Sequence, residues 1–139
     1  MKRTIVIIDG MGGGIGVQLI TKLKDLPLGA HEIIALGTNA IAAERMVKAG
    51  AHRGASGENA VKVSASLGDF ILGPIGIVIP NGLMGEITPA MAGAILAAPG
   101  ERILIPLQQD HFRLVGLEVQ PLARLVEEAV DYLGKKLEE

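Results

Sequence analysis

Apolar residues fall in short β-branched runs that alternate with stretches repeating every three to four positions. Residues 4–8 (Thr-Ile-Val-Ile-Ile) are too short and continuous for an amphipathic helix and predict a buried strand. Gly16, Leu19, Ile20 and Leu23 then share one helical face as far as about residue 26, and Pro27 and Gly29 end that helix. A second strand is expected over 32–36. A second helix is marked by Ala43, Met46 and Val47 and stopped by Gly50, and a short third strand is expected over 51–55. Residues 57–67 fit two patterns. Val61, Val63, Ala65 and Leu67 alternate like a strand, whereas Ala60, Val63 and Leu67 suit a helix, which the cap-like Ser56-Gly57 favours.

A strand over 70–72 is broken by Gly73-Pro74-Ile75-Gly76. Thr88 caps the next helix with Pro89 at its first position, and Met91, Ala92, Ile95 and Leu96 form its buried stripe. Strands follow over 102–107 and, at an edge, over 112–116. The last helix is the clearest, with Leu122, Leu125, Val126, Ala129, Val130, Leu133 and Leu137 opposite Glu127, Glu128 and Asp131. Such alternation implies right-handed crossovers and a mostly parallel sheet. The expected fold is a small doubly wound, Rossmann-like α/β domain of three layers, one unit over 1–139. Its ligand side is the carboxyl end of the strands, where strand order reverses.

Composition narrows the function. The chain has 139 residues, 49% hydrophobic but only 2% aromatic, with 19 glycines and no cysteine. That suits buried parallel strands joined by glycine turns and excludes disorder and a disulfide scaffold. A net charge of −2 without a basic block, and almost no rings for stacking, argue against nucleic-acid binding. Met1-Lys2-Arg3 and the apolar run after it imitate a signal peptide, but Asp9 interrupts the run and no cleavage pattern follows. The apolar stretches 70–80 and 90–98 are too short to span a bilayer. A cytoplasmic protein is expected, with no membrane partner.

The first strand leads into Asp9-Gly10-Met11-Gly12-Gly13-Gly14-Ile15-Gly16. The strict G-x-G-x-x-G spacing fails, because counting from Gly10 places Ile15 at the third glycine. G-x-x-x-G-I-G is met at Gly10, Gly14, Ile15 and Gly16 and resembles the cofactor loop of short-chain dehydrogenases. That resemblance implies a phosphate on the loop and the following helix N-terminus, and a cofactor of the NAD or NADP type. A tight turn without ligand is the structural alternative. Asp9 stands where those loops carry Thr or Asn. It either needs a cation beside a pyrophosphate or turns back onto the loop's own N–H groups, the arrangement favoured here.

The acid that would bind the adenosine ribose is missing, because the second strand ends Gly37-Thr38-Asn39. Thr38 or Asn39 could bond a ribose hydroxyl or a 2′-phosphate, or cap the helix. Without a carboxylate there, any dinucleotide preference is expected to be weak or toward the phosphorylated form. Tyr132 and Lys136 reproduce the dehydrogenase Y-x-x-x-K. However, the position of the catalytic Ser is Val119, and an exposed surface pair is the expected reading. Four further strand-end segments share the expected rim: Gly37–Asn39, Ser56-Gly57-Glu58-Asn59, Gly73-Pro74-Ile75-Gly76 and Gln108-Gln109-Asp110-His111. Gly73 and Pro74 join the candidate binding residues. Glu58, Asp110 and His111 are the acid–base candidates, and the spacing of His31, His52 and His111 matches no metal site.

Taken together, I-D-G-x-G-G-G-I-G at 8–16, G-T-N-A at 37–40, G-E-N-A at 57–60, G-P-I-G-I-V at 73–78 and G-E-I-T-P-A-M at 85–91 resemble a family of short bacterial proteins catalogued only as a domain of unknown function. Met11 replaces a polar residue there. The resemblance implies no reaction. The expected function is binding of a nucleotide or dinucleotide, with a small enzyme on a phosphorylated or nucleotide-like substrate, or an oligomeric structural or partner-binding protein with a purely structural glycine loop, as alternatives. Self-association, with a dimer as default, is expected from the apolar stretch 75–84.

Overall fold

The computed structural model describes residues 1–107 and 112–139. Five strands are present among the described residues: β1 (Thr4–Asp9), β2 (Glu32–Gly37), β3 (Arg53–Ser56), β4 (Phe70–Pro74) and β5 (Glu101–Ile105). They form one parallel sheet in the order β3-β2-β1-β4-β5. Among the described residues, five α-helices connect or flank them: α1 (Gly14–Leu23), α2 (Ala40–Ala49), α3 (Glu58–Ser64), α4 (Pro89–Ala97) and α5 (Leu122–Leu137).

β1 is central and covered on both sides, which is why its sequence is an unbroken apolar run. Ile5 and Ile7 pack with Leu19, Leu23 and Met46 of α1 and α2 and with Val130 and Leu133 of α5. Val6 and Ile8 face the other way, toward Val61 of α3 and Met91 and Ile95 of α4. All four β1 side chains are completely buried. Each contributes about 1.5–3 kcal/mol relative to exposure, more than the ~1 kcal/mol span of strand propensities. Burial therefore fixes this strand. The result is the expected three-layer doubly wound fold, with strand order reversing between β1 and β4.

The ambiguous residues 57–67 form α3 and a short 3-10 turn, Ala65–Leu67. Thr88 caps α4 as expected, accepting a hydrogen bond from the Met91 N–H at 3.1 Å with Pro89 in the first turn. Several expectations are corrected. β4 does not break at Gly73 but runs through Pro74. The proline is tolerated because pairing with β1 has ended at Leu72 and Pro74 takes the last rung, opposite Ile105. No strand forms over 112–116, where Gly116 at φ 90° leaves the extended region. Leu96 is exposed, one residue round the helix from buried Ile95. The stretch 75–84 is not an open apolar patch. Ile77 is fully buried, and Val78 and Leu83 pack on the α3–α4 side, leaving Met84 as its large exposed apolar side chain. Among the described residues, no helix is long and apolar enough to cross a membrane.

Candidate functional site

The point where strand order reverses lies at the carboxyl ends of β1 and β4, and the glycine-rich loop leaves the sheet there. Its turn is closed by the Gly13 N–H donating to the Gly10 carbonyl at 2.8 Å. Gly13 then sits at φ 75° as the residue before α1, and a Cβ there would stand 3.0 Å from the Ala42 backbone. Only glycine serves that position. At Gly16 a Cβ would stand 2.3 Å from the Met46 sulfur, so this glycine lets α1 and α2 meet closely. Gly14 differs, since a Cβ there meets nothing within 4 Å.

Asp9, at the end of β1, is 4% exposed. Its Oδ1 accepts from the Gly10 N–H and its Oδ2 from the Gly16 N–H, both at 2.8 Å. The Ile15 N–H also serves this carboxylate. The side chain therefore turns back onto its own loop and places an anion against the positive end of α1. Burial pushes the Asp9 carboxyl above the ordinary range; the three N–H bonds pull it down, and the nearby Glu86 pushes it up further. The Gly12 and Gly14 amides are not among the donors to Asp9. Arg45 of α2 donates to the Gly12 carbonyl, putting a cation beside that part of the loop.

A second carboxylate arrives from the connection between β4 and α4. Glu86 Oε1 accepts from the Met11 N–H at 2.8 Å, from Asn39 Nδ2 at 3.0 Å, and from the Thr38 hydroxyl. These bonds, that of Thr38 first and that of Met11 next, hold the Glu86 carboxyl below its ordinary range. Asn39 also caps α2, its Oδ1 accepting from the Ala42 N–H at 2.8 Å, while its Nδ2 donates to the Met11 carbonyl at 2.9 Å. The segment carrying Glu86 holds Asn81, Leu83 and Met84 at φ 65°, 55° and 58°. Asparagine adopts that conformation readily, but for Leu83 and Met84 it costs about 1–2 kcal/mol each, a cost borne where Leu83 and Glu86 close over Gly10.

The structure thus brings Asp9, Gly10, Met11, Gly12, Gly13, Gly14, Ile15, Gly16, Thr38 and Asn39 to one place. Gly73 and Pro74 are buried in β4 beyond its pairing with β1; a Cβ on Gly73 would stand 2.3 Å from the Ile8 carbonyl. Glu58 is an exposed residue at the start of α3. Asp110 and His111 lie outside the described residues. His31 and His52 have structural roles, each accepting through Nδ1 at 2.9 Å, from the Arg3 and Ile33 N–H groups. Tyr132 donates to Glu101, the first residue of β5, at the opposite edge of the sheet from the loop. That bond raises the phenol's pKa, the reverse of what a proton-relay tyrosine needs.

Sequence reading missed Glu86 and Arg45. Glu86 lies within the G-E-I-T-P-A-M run, but its separation of 75 residues from Met11 gave no sign of contact. Residues 4–138 match the family described as a domain of unknown function, DUF3842, and the chain belongs to that family. A comparison with curated proteins found no match.

Proposed function

We propose that this member of a family without an assigned activity binds a nucleotide or dinucleotide, of the NAD or NADP type, at the carboxyl edge of its sheet. The observation that carries the reading is the placement of the loop. α1 begins at Gly14 immediately behind β1, at the one point in the sheet where strand order reverses. A crevice there receives ligands in open α/β sheets generally, and a helix N-terminus favours an anion.

Asp9 modifies the usual arrangement. With its carboxylate already on the Gly16 N–H, the ligand's phosphate rests farther out, on the Gly12 and Gly14 amides with Arg45 at hand. The sugar lies toward Thr38, Asn39 and Glu86. The self-bonded Asp9 also favours the competing reading of a purely structural loop. Thermal-shift titration of the purified protein with NAD, NADP, ATP and FAD separates the two. A ligand at 100 times its dissociation constant adds about 2.7 kcal/mol of stability. Stabilisation by one of these, lost in Gly14→Val while the fold persists, is the expected result; no response to any of them overturns the proposal.

A further inference from the structure

Resting on the nucleotide reading, we infer that Glu86 selects an unphosphorylated ribose, so that the ligand is of the NAD rather than the NADP class. In doubly wound dinucleotide sites, an acid at the end of the second strand accepts from the ribose 2′-hydroxyl and repels a 2′-phosphate. The sequence after β2, Thr38-Asn39, has no such acid. The fold puts one there from elsewhere, because Glu86 reaches from the β4–α4 connection to both of these residues.

The carboxylate is held in one pose. All three donors, the Met11 N–H, the Thr38 hydroxyl and Asn39 Nδ2, converge on Oε1. Asn39 cannot turn its amide away, because its Oδ1 accepts from the Ala42 N–H and its Nδ2 also donates to the Met11 carbonyl. With Oε1 so engaged, Oε2 is the oxygen that meets a ligand, and an ionised oxygen accepts only from donors. A hydroxyl satisfies it. A phosphate brings like charge against it. Arg45 does not reverse this balance, since its guanidinium is turned to the Gly12 carbonyl on the α2 side of the loop.

The test is calorimetric titration of the full chain with NAD, NADP, adenosine 5′-monophosphate and adenosine 2′,5′-bisphosphate. The wild type should bind each unphosphorylated member at least about tenfold more tightly than its 2′-phosphorylated partner. Glu86→Gln keeps an amide oxygen for the three donors and removes the charge. Its melting temperature reports that the fold persists, and its preference should shrink to a few-fold or reverse. Glu86→Asp, which keeps the charge on a shorter arm, should retain a preference. Equal or tighter binding of the 2′-phosphorylated ligands by the wild type overturns the inference and leaves the nucleotide reading standing. So does an unchanged preference in folded Glu86→Gln. Failure of the wild type to bind any of the four overturns the nucleotide reading and this inference with it.

Discussion

Asp9 and Glu86 accept hydrogen bonds from adjacent backbone amides, Gly10 donating to the first at 2.8 Å and Met11 to the second at 2.8 Å. Two anions from distant parts of the chain thus divide one glycine loop between them. The buried one shapes the loop from within, while the half-buried one faces the rim.

Asp9→Ala should be strongly destabilising. It strips acceptors from the buried Gly10 and Gly16 N–H groups, and the loss should be about 2–4 kcal/mol. Asp9→Asn keeps one acceptor oxygen and should cost less. Urea unfolding of the three proteins checks the order; an Asp9→Ala variant as stable as wild type would show that water replaces the carboxylate.

The two acids should give opposite pH dependences. Asp9 has a folded pKa above its unfolded value of 3.8, so the native state holds the proton more tightly. Its contribution declines as pH rises from that value through the folded pKa. Glu86 has a folded pKa below its unfolded value of 4.5, so its contribution is complete above 4.5 and is lost as pH falls through the folded pKa. Unfolding midpoints followed from about pH 3 to about pH 8 should lose the alkaline-side decline in Asp9→Asn and part of the acid-side decline in Glu86→Gln. Identical profiles for all three proteins would remove both assignments.

The loop glycines should separate by role. Gly16→Val drives a side chain toward the Met46 sulfur and should cost at least about 1–3 kcal/mol through overpacking. Gly13→Val combines a left-handed φ with contact to the Ala42 backbone and should be at least as harmful. Gly14→Val enters open space and should stay folded, which makes it the usable probe of ligand contact. Circular-dichroism melting of the three variants gives the ranking.

Tyr132→Phe should leave nucleotide titrations unchanged. The phenol is paired with Glu101 at the amino end of β5, across the sheet from the loop. A weakened or abolished nucleotide response in this variant would restore the dehydrogenase-like role for the Y-x-x-x-K pair.

Self-association, if it rests on exposed apolar surface, belongs to another face than the stretch 75–84. Val115 and Val119 are 94% and 102% exposed, with Leu117 half-exposed between them, beside β5, the last strand in the sheet order. A second copy covering that edge predicts a dimer by light scattering at micromolar concentration, shifted toward monomer by Val115→Asp. A mass near 14.5 kDa for the wild type rules this out.

The architecture was legible because its signals are local. A β-branched run such as Ile5–Ile8, a Thr-Pro helix start at 88–89 and the long stripe of α5 each announce themselves within one element. The turning-back of Asp9 was legible for the same reason, its partners lying within seven residues. The acid at the end of β2 was not. Glu86 reaches Thr38 across 48 residues of chain, and only the fold brings the β4–α4 connection over the loop. The apolar stretch 75–84 misled because hydrophobicity without a clear period does not say whether a side chain points in or out. Ile77 and Leu83 point in.

The central place of β1 has a consequence for how the chain comes together. β1 has β2 close behind it in the chain, but its other neighbour begins only at Phe70, and the α5 residues that close one of its faces begin only at Leu122. Until β4 arrives, the half-built sheet offers an unpaired edge and a Val6–Ile8 face that Met91 and Ile95 of α4 have yet to cover. Such long-range parallel pairing folds slowly and stays open to aggregation. Refolding from urea should therefore be slow and should lose yield as the protein concentration rises.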